Sequence, residues 1–298
     1  MRTLLFALIT LAFLGLPASA VGQNRQSQKG QTRRLFVSVI DQAGSPVLDL
    51  ASGDFTVTEG GTARTIVRAG LATSPMRVAL LVDTSDAASA ALPHLRAGLI
   101  AFLDTLPPEH EVMLVSTGRQ IRVRVQPTTD RKKLRDAAGS LFPDGAGTVL
   151  MDGLVDIDDR FMRKAEDRWP VFVIFTSDGT ESSAAAHEKE FNTWSQGLSV
   201  RGASAHALVL KVKGSGVPDM VAMGLTRNTG GRYDMMNTSN ALPDKLKALA
   251  TQLAADHRQM ATKYQLDYLS DSSTPGAVDV GVGRSGVKLQ TSYRRQLP

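Results

Sequence analysis
Polar and apolar residues alternate at the two ends of this chain and separate into unbroken apolar runs in its middle, and the two regimes predict different architecture. On the amino-terminal side Arg34–Asp41 alternates with period two, Asp41–Pro46 has turn chemistry, and Val47–Leu50 follows. Asp54–Glu59 alternates again, Gly60-Gly61 turns the chain, and Thr65–Val67 resumes. On the carboxyl-terminal side Tyr264–Leu269, Ala277–Val282 and Val287–Thr291 read as strands as well. Short strands near both ends of a chain readily meet, because the termini of a compact unit tend to lie close together. A small β-rich module assembled from both flanks is therefore expected.

Between the flanks, Val78–Val82, Val171–Phe175 and Ala205–Leu210 are apolar runs of the kind buried on both faces of a parallel sheet, and Val112–Val115 and Ile121–Val125 read as further strands. Helical spacing intervenes. Leu92, Leu95, Leu99, Phe102, Leu103 and Leu106 share one helix face that stops at Pro107-Pro108; Thr129 or Asp130 caps a helix running to about Leu141; Leu242, Leu246, Leu249, Leu253 and Met260 line a last helix. The alternation predicts an α/β fold with a Rossmann-like, mostly parallel sheet flanked by helices.

Composition narrows the function classes. A chain of 298 residues, 42% hydrophobic and 21% charged, has the material for a sizeable core in one large or two modest domains. The net charge of +5 is dispersed, Arg131-Lys132-Lys133 reads as the solvated first turn of a helix, and the scarce aromatics do not interleave with basic residues. Nucleic acid is not an expected partner. Arg2, the apolar stretch Leu4–Leu16 and the small-residue pattern Ala18-Ser19-Ala20 form an export signal, which places the protein in a periplasm or outside the cell. No later run reaches membrane-spanning length, so no stable membrane insertion is expected after cleavage. The absence of cysteine excludes disulfides, thiolate chemistry and a cysteine-linked lipid anchor. The expected organisation is a signal peptide at 1–20, a disordered leader at 21–33, an N-terminal β segment at 34–75, the α/β domain at 76–263 and a C-terminal β segment at 264–298 that packs with the N-terminal one.

Candidate chemistry sits where apolar runs end. Asp83 and Ser85 follow Val78–Val82, Asp178-Gly179 follows Val171–Phe175 by two residues, and the glycine-rich loop Asp144–Thr148 precedes a helical stretch. Ligands of open α/β sheets bind at the carboxyl ends of strands. An oxygen-only donor set favours Mg²⁺, Mn²⁺ or Ca²⁺ over zinc. The order Asp-x-Ser, then Gly-x-Gly-Thr before a helix, then Thr-x-Asp-Gly after an apolar strand resembles a von Willebrand factor type A domain over roughly Met76–Lys263. The resemblance puts Asp83, Ser85, Thr148 and Asp178 at positions of the family's metal-ion-dependent adhesion site. Ala87 departs from it, standing where the family has a second serine. The flanks, with Asp54-Phe55-x-Val57-x-Glu59, Tyr264-x-Leu266-x-Tyr268 and Arg284-x-Gly286-Val287-Lys288, resemble an exported bacterial subfamily described especially in acidobacteria.

The resemblance implies a non-enzymatic adhesion-type protein whose cation completes its shell with an acidic residue of a protein partner. A metal-free scaffold of the cell envelope is the alternative. A haloacid-dehalogenase-type phosphotransferase would need a second acid where Ser85 stands, and a serine hydrolase would need a nucleophile elbow that the chain lacks. Elsewhere the expectations are structural. Asp156, Asp158 and Asp159 beside Arg160, Arg163 and Lys164 read as a solvated face; Met220, Met223, Met235 and Met236 as core fillers; His94 and His257 as helix-surface residues; His206 as a packed core histidine; and Gly214-Ser215-Gly216 as a loop.

Overall fold
The computed structural model describes residues 31–165, 167–183, 188–212, 216–271 and 276–290, so the expected export signal, most of the expected leader and Gly214-Ser215 lie outside the described residues. The flanks and the middle build separate sheets, as the hydrophobic patterning predicts. The middle forms a six-stranded sheet from β5 (Met76–Val82), β6 (Glu111–Thr117), β7 (Ile121–Thr128), β8 (Trp169–Ser177), β9 (Ser204–Leu210) and β10 (Tyr233–Met236), in the order β10-β9-β8-β5-β6-β7. All neighbours are parallel except the β6–β7 hairpin.

The unbroken apolar runs are explained by burial on both faces. In β5, Val78, Leu80 and Val82 join one core with Leu95, Leu99 and Phe102 of α1 (Leu92–Thr105), Leu134 of α2 (Arg131–Gly139) and Leu246 and Leu253 of α6 (Leu242–Met260). Ala79 and Leu81 face the opposite core, with Leu150 and Leu154 of α3 (Leu150–Ile157), Trp194 and Leu198 of α4 (Glu188–Val200) and Leu225 of α5 (Val217–Thr229). Helix boundaries follow local chemistry. Asp130 is the α2 cap, accepting from Lys133 N–H at 3.0 Å; α5 ends on Gly230 at φ 67°; α1, α5 and α6 each carry a proline in the first turn. Among the described residues no helix is long and apolar enough to cross a membrane.

The two flanks do meet. β1 (Gln31–Ile40) pairs antiparallel with both β11 (Tyr264–Ser270) and β13 (Lys288–Gln290), and β4 (Ile66–Leu71) completes a sheet ordered β13-β1-β11-β4. A second sheet, β12-β2-β3, joins β12 (Val278–Val282) to β2 (Phe55–Glu59) and β3 (Thr62–Arg64). Val37, Val39, Phe55, Val57, Tyr264 and Leu266 fill the core between them. The strand begins at Gln31, not at Arg34, so residues 31–33 of the expected leader are ordered. Gln31 pairs with Ser270, and the buried Arg33 guanidinium lies 3.7 Å from Glu59, whose carboxylate also accepts from the Ser270 hydroxyl at 2.6 Å.

Three further expectations are corrected. Asp158 is fully buried, because it continues the inward face of α3 four residues after Leu154, where its carboxylate meets Trp194 and Arg201. Met220 is 61% exposed and Met235 is exposed too; of the four methionines only Met236 is buried. His257 is half-buried, with its ring against His110.

Candidate functional site
β5 lies at the point where the topology reverses. The chain leaves it for β6 and β7 on one side and returns to β8, β9 and β10 on the other, so the carboxyl end of β5 opens on the crevice where α/β sheets bind ligands. Asp83 follows that strand directly, with its backbone N–H on Phe175 O of β8 at 2.8 Å. Four segments close over this end. Asp86 N–H reaches Gly145 O at 2.8 Å, Asp144 N–H reaches Thr84 O at 2.7 Å, Thr148 N–H reaches Thr180 O at 2.9 Å and Asp178 N–H reaches Leu210 O at 3.0 Å. The structure thus gathers all four residues singled out from the sequence into one rim.

Close backbone approach explains the glycines. A Cβ on Gly118 would fall 2.1 Å from Asp144 O, and one on Gly147 would fall 2.2 Å from the Ser182 hydroxyl; Gly145 has φ +91°. On Gly179 it would lie 2.8 Å from the Ala87 methyl, which places residue 87 directly against the Asp178-Gly179 turn.

The side chains themselves are largely committed to one another. Asp83 is fully buried and accepts three hydrogen bonds, from Ser85 N–H (2.8 Å), Ser177 N–H (3.0 Å) and the Ser177 hydroxyl (2.8 Å). A carboxylate has about four lone-pair sites, so one is left. Thr148 donates its hydroxyl to Thr117 O and meets the Thr117 hydroxyl at 2.9 Å. Asp178 accepts from Val212 N–H at 2.7 Å. Ser85 makes no side-chain hydrogen bond among the described residues, and the buried Thr84 hydroxyl has no partner there either. Ala87 contributes a methyl group where the family resemblance implies a hydroxyl.

These donors do not fit a cation shell supplied by the protein. Of the four expected ligands, Asp83 commits three of about four lone-pair sites and Thr148 its hydroxyl hydrogen to internal partners, and the position that would add a fifth oxygen has none. What the arrangement does well is tie loops: the Asp83 carboxylate fastens the turn after β5 to the end of β8.

Sequence reasoning passed over Ser177, Thr117 and Glu181. Ser177 immediately precedes Asp178 at a strand end, which was a usable signal. Glu181 holds the amino end of α3, accepting from Leu150 N–H at 3.2 Å and Ser183 N–H at 2.9 Å, while burial pushes its carboxyl group up. Tyr233 donates to Asp219 in the first turn of α5; burial, then Asp219 and Asp178, push its hydroxyl up.

Comparison with known proteins agrees with the geometry. Residues 78–181 match the family model described as von Willebrand factor type A domain. The fold is similar to that of a von Willebrand factor type A protein from Catenulispora acidiphila, with a TM-score of 0.53 at 11% identity over 89% of this chain and 72% of that one. It is also similar to proximal thread matrix protein 1 from the mussel byssus, solved with a zinc-occupied MIDAS motif, with a TM-score of 0.50 at 13% identity over 67% of this chain and 48% of that one. No curated protein sequence matches the chain.

Proposed function
We propose, from the von Willebrand factor type A domain that the chain contains, that this protein is an exported, non-enzymatic protein-interaction module that engages its partner through the loop rim at the end of β5 and does so without a bridging cation. The observation that carries this reading is the internal commitment of Asp83. Beside it, exposed apolar side chains supply a contact surface. Val212 carries the amide bonded to Asp178, and Val217 and Met220 lie one turn apart on α5, whose capping Gly216 is so close to the Asp178 and Gly179 carbonyls that a Cβ there would fall 2.2 Å and 2.5 Å away. Exposed apolar residues grouped beside a polar rim mark interaction surfaces more often than scattered ones do.

Paired replacement of Val217 and Met220 by aspartate is expected to leave stability within about 0.5 kcal/mol of the parent, since both side chains are exposed. The same change should weaken capture of the partner from envelope extract at least about tenfold, equivalent to about 1.4 kcal/mol. Unchanged capture would remove α5 from the surface.

Chelation is expected to leave capture and thermal stability unchanged. The second reading, cation-bridged adhesion, is favoured by the free Ser85 hydroxyl and predicts the opposite. A cation at about a hundred times its Kd would stabilise the fold by about 2.7 kcal/mol. Magnesium titration by calorimetry and thermal melting separates the two, and a response gained in Ala87→Ser but absent from the parent would trace the loss to the missing hydroxyl.

A further inference from the structure
Arginines that are dispersed along the sequence converge on one loop of the rim. The loop is Leu141–Gly145, which follows α2, and arginines from three places meet it almost residue by residue. Arg96 of α1 donates to Leu141 O through Nε at 3.0 Å and through Nη2 as well. Arg124 of β7 lies over the Phe142 ring, its guanidinium carbon 4.5 Å from the centroid. Arg122 of β7 pairs with the Asp144 carboxylate at 2.7 Å. Arg119, in the β6–β7 turn, donates its amide to Asp144 O, and its Cβ is so close to Gly145 that a Cβ there would fall 2.5 Å away. Gly145 O in turn holds Asp86 N–H, so the cluster borders the end of β5.

The backbone of β7 helps to gather them. Leu114 faces Val125 and Val115 faces Val123, so Arg124 is the extra residue of a β-bulge on this edge strand. The bulge turns Arg124 back to the Ser116 hydroxyl at 3.0 Å, and Ser116 is the residue opposite Arg122. One carboxylate, that of Asp144, serves the whole group. Arg96 and Arg124 meet only neutral acceptors, and Arg124 Nη2 is buried with no partner among the described residues. Arg119 is exposed and makes no side-chain bond or ion pair there. Burial first, and Arg122 second, hold the Arg124 guanidinium below its ordinary range, with Asp144 opposing them. We propose that Arg96, Arg119, Arg122 and Arg124, set around the exposed Phe142 ring, dock an acidic segment of the protein partner, so that guanidinium groups rather than a bridging cation receive its carboxylates. This rests on the reading of the rim as an interaction surface.

The chemistry favours a carboxylate-bearing protein segment. Guanidinium forks match carboxylates two bonds at a time. A nucleic-acid strand would stack its bases on bare aromatic faces, and the ring at the centre of this cluster already has Arg124 over it. Charges on an edge strand also guard it against stray pairing, which would account for Arg122 and Arg124 but not for Arg96 and Arg119, which lie outside β7.

The probe is fluorescein-labelled hexaglutamate, read by fluorescence anisotropy on the full chain at about 0.1 M salt. The parent should bind it with a Kd below about 1 mM. Arg119→Glu, at an exposed side chain with no bond to lose, should weaken binding at least about fivefold. Lys288→Glu makes the same change of net charge on exposed β13 of the β module and should alter binding less than about twofold. Asp144→Asn releases Arg122 from its carboxylate and should tighten binding about two- to fivefold. The arginine surface is overturned if the parent leaves hexaglutamate unbound, if Arg119→Glu and Lys288→Glu act alike, or if Asp144→Asn weakens binding while keeping the parental melting temperature. Octathymidylate binding the parent more tightly than hexaglutamate would overturn it too, and would mark a nucleic-acid surface instead. The rim reading is tested separately by the aspartate pair at Val217 and Met220. Loss of capture in that pair, with hexaglutamate binding unchanged in Arg119→Glu, would sink the arginine surface and leave the rim reading in place.

Discussion

Asp83→Ala is expected to lower the unfolding free energy by about 3–5 kcal/mol, equally with Mg²⁺ and with chelator, and Asp83→Asn by about half as much. The reasoning is a count of donors. Alanine leaves the Ser85 and Ser177 amides without an acceptor in a site closed to water; hydrogen bonds to a charged group contribute about 1.5–3 kcal/mol each. The Ser177 hydroxyl can rotate to another acceptor, which limits the total. Because Asp83 pairs with no cationic side chain among the described residues, its removal also relieves the cost of burying a carboxylate, and this keeps the estimate from running higher. Asparagine can place its oxygen toward the two Ser177 donors, leaving its amide to face Ser85 N–H, so one bond of three is lost. A cation ligand would behave differently: both substitutions would cost little without metal and abolish a metal-dependent gain. Urea unfolding at two metal conditions decides between them. Equal costs in both conditions support the loop-tying role, and a cost confined to the magnesium arm contradicts it.

The sequence carried the architecture because the architecture depends on patterns a single chain displays. Val78–Val82 and Val171–Phe175 are buried on both faces, and nothing except helices on either side of a sheet hides an unbroken run of that kind. The meeting of the two flanks was legible for the same reason: Arg34–Asp41 and Tyr264–Leu269 each need a partner for one apolar face, and they pair with each other. Helices α4 and α5 were not anticipated. Their apolar faces are thin, set by residues such as Phe191, Trp194 and Leu198 among polar neighbours, and α5 includes exposed Val217 and Met220 that blur the helical stripe.

The candidate site was half legible. Which segments converge follows from strand ends and glycine loops, and Asp83, Ser85, Thr148 and Asp178 do share one rim. What those side chains bind does not follow, since it turns on Ser177 and Thr117, which reach them only after the strands have paired. The histidines make the same point. His110 carries no motif, and its bonding partner is an amide 34 residues away at the start of β5. The exposure of Met220 and Met235 was misread because flexible apolar side chains fill cores and interaction surfaces equally well.

Asp158 shows how a misread charge becomes a strong prediction. Three neighbouring acids and two arginines at helical spacing look like a solvated face, and two of the pairs are that: Asp156 with Arg160 and Asp159 with Arg163, four residues apart and partly or fully exposed. Such pairs contribute about 0.3–0.5 kcal/mol each. Asp158 differs because it falls on the buried stripe of α3, four residues after Leu154, in the layer between α3 and α4. There it accepts from Trp194 Nε1 at 2.8 Å, from Arg201 through both terminal nitrogens at 3.0 and 2.6 Å, and from Arg163 at 3.2 Å. Removing one partner of a buried charged cluster costs about 3–5 kcal/mol, because what remains is desolvated without compensation. Arg201 is about a quarter exposed and can recover water, so Asp158→Ala should fall at the lower end, about 3 kcal/mol, while Asp156→Ala should stay within about 0.5 kcal/mol. Trp194 provides the control on mechanism. In Asp158→Ala combined with Trp194→Phe the second change should cost less than it does alone, since the indole N–H has already lost its acceptor. Fully additive costs in that double-mutant cycle, measured by urea unfolding, would mean that the indole bond to Asp158 contributes nothing to the fold.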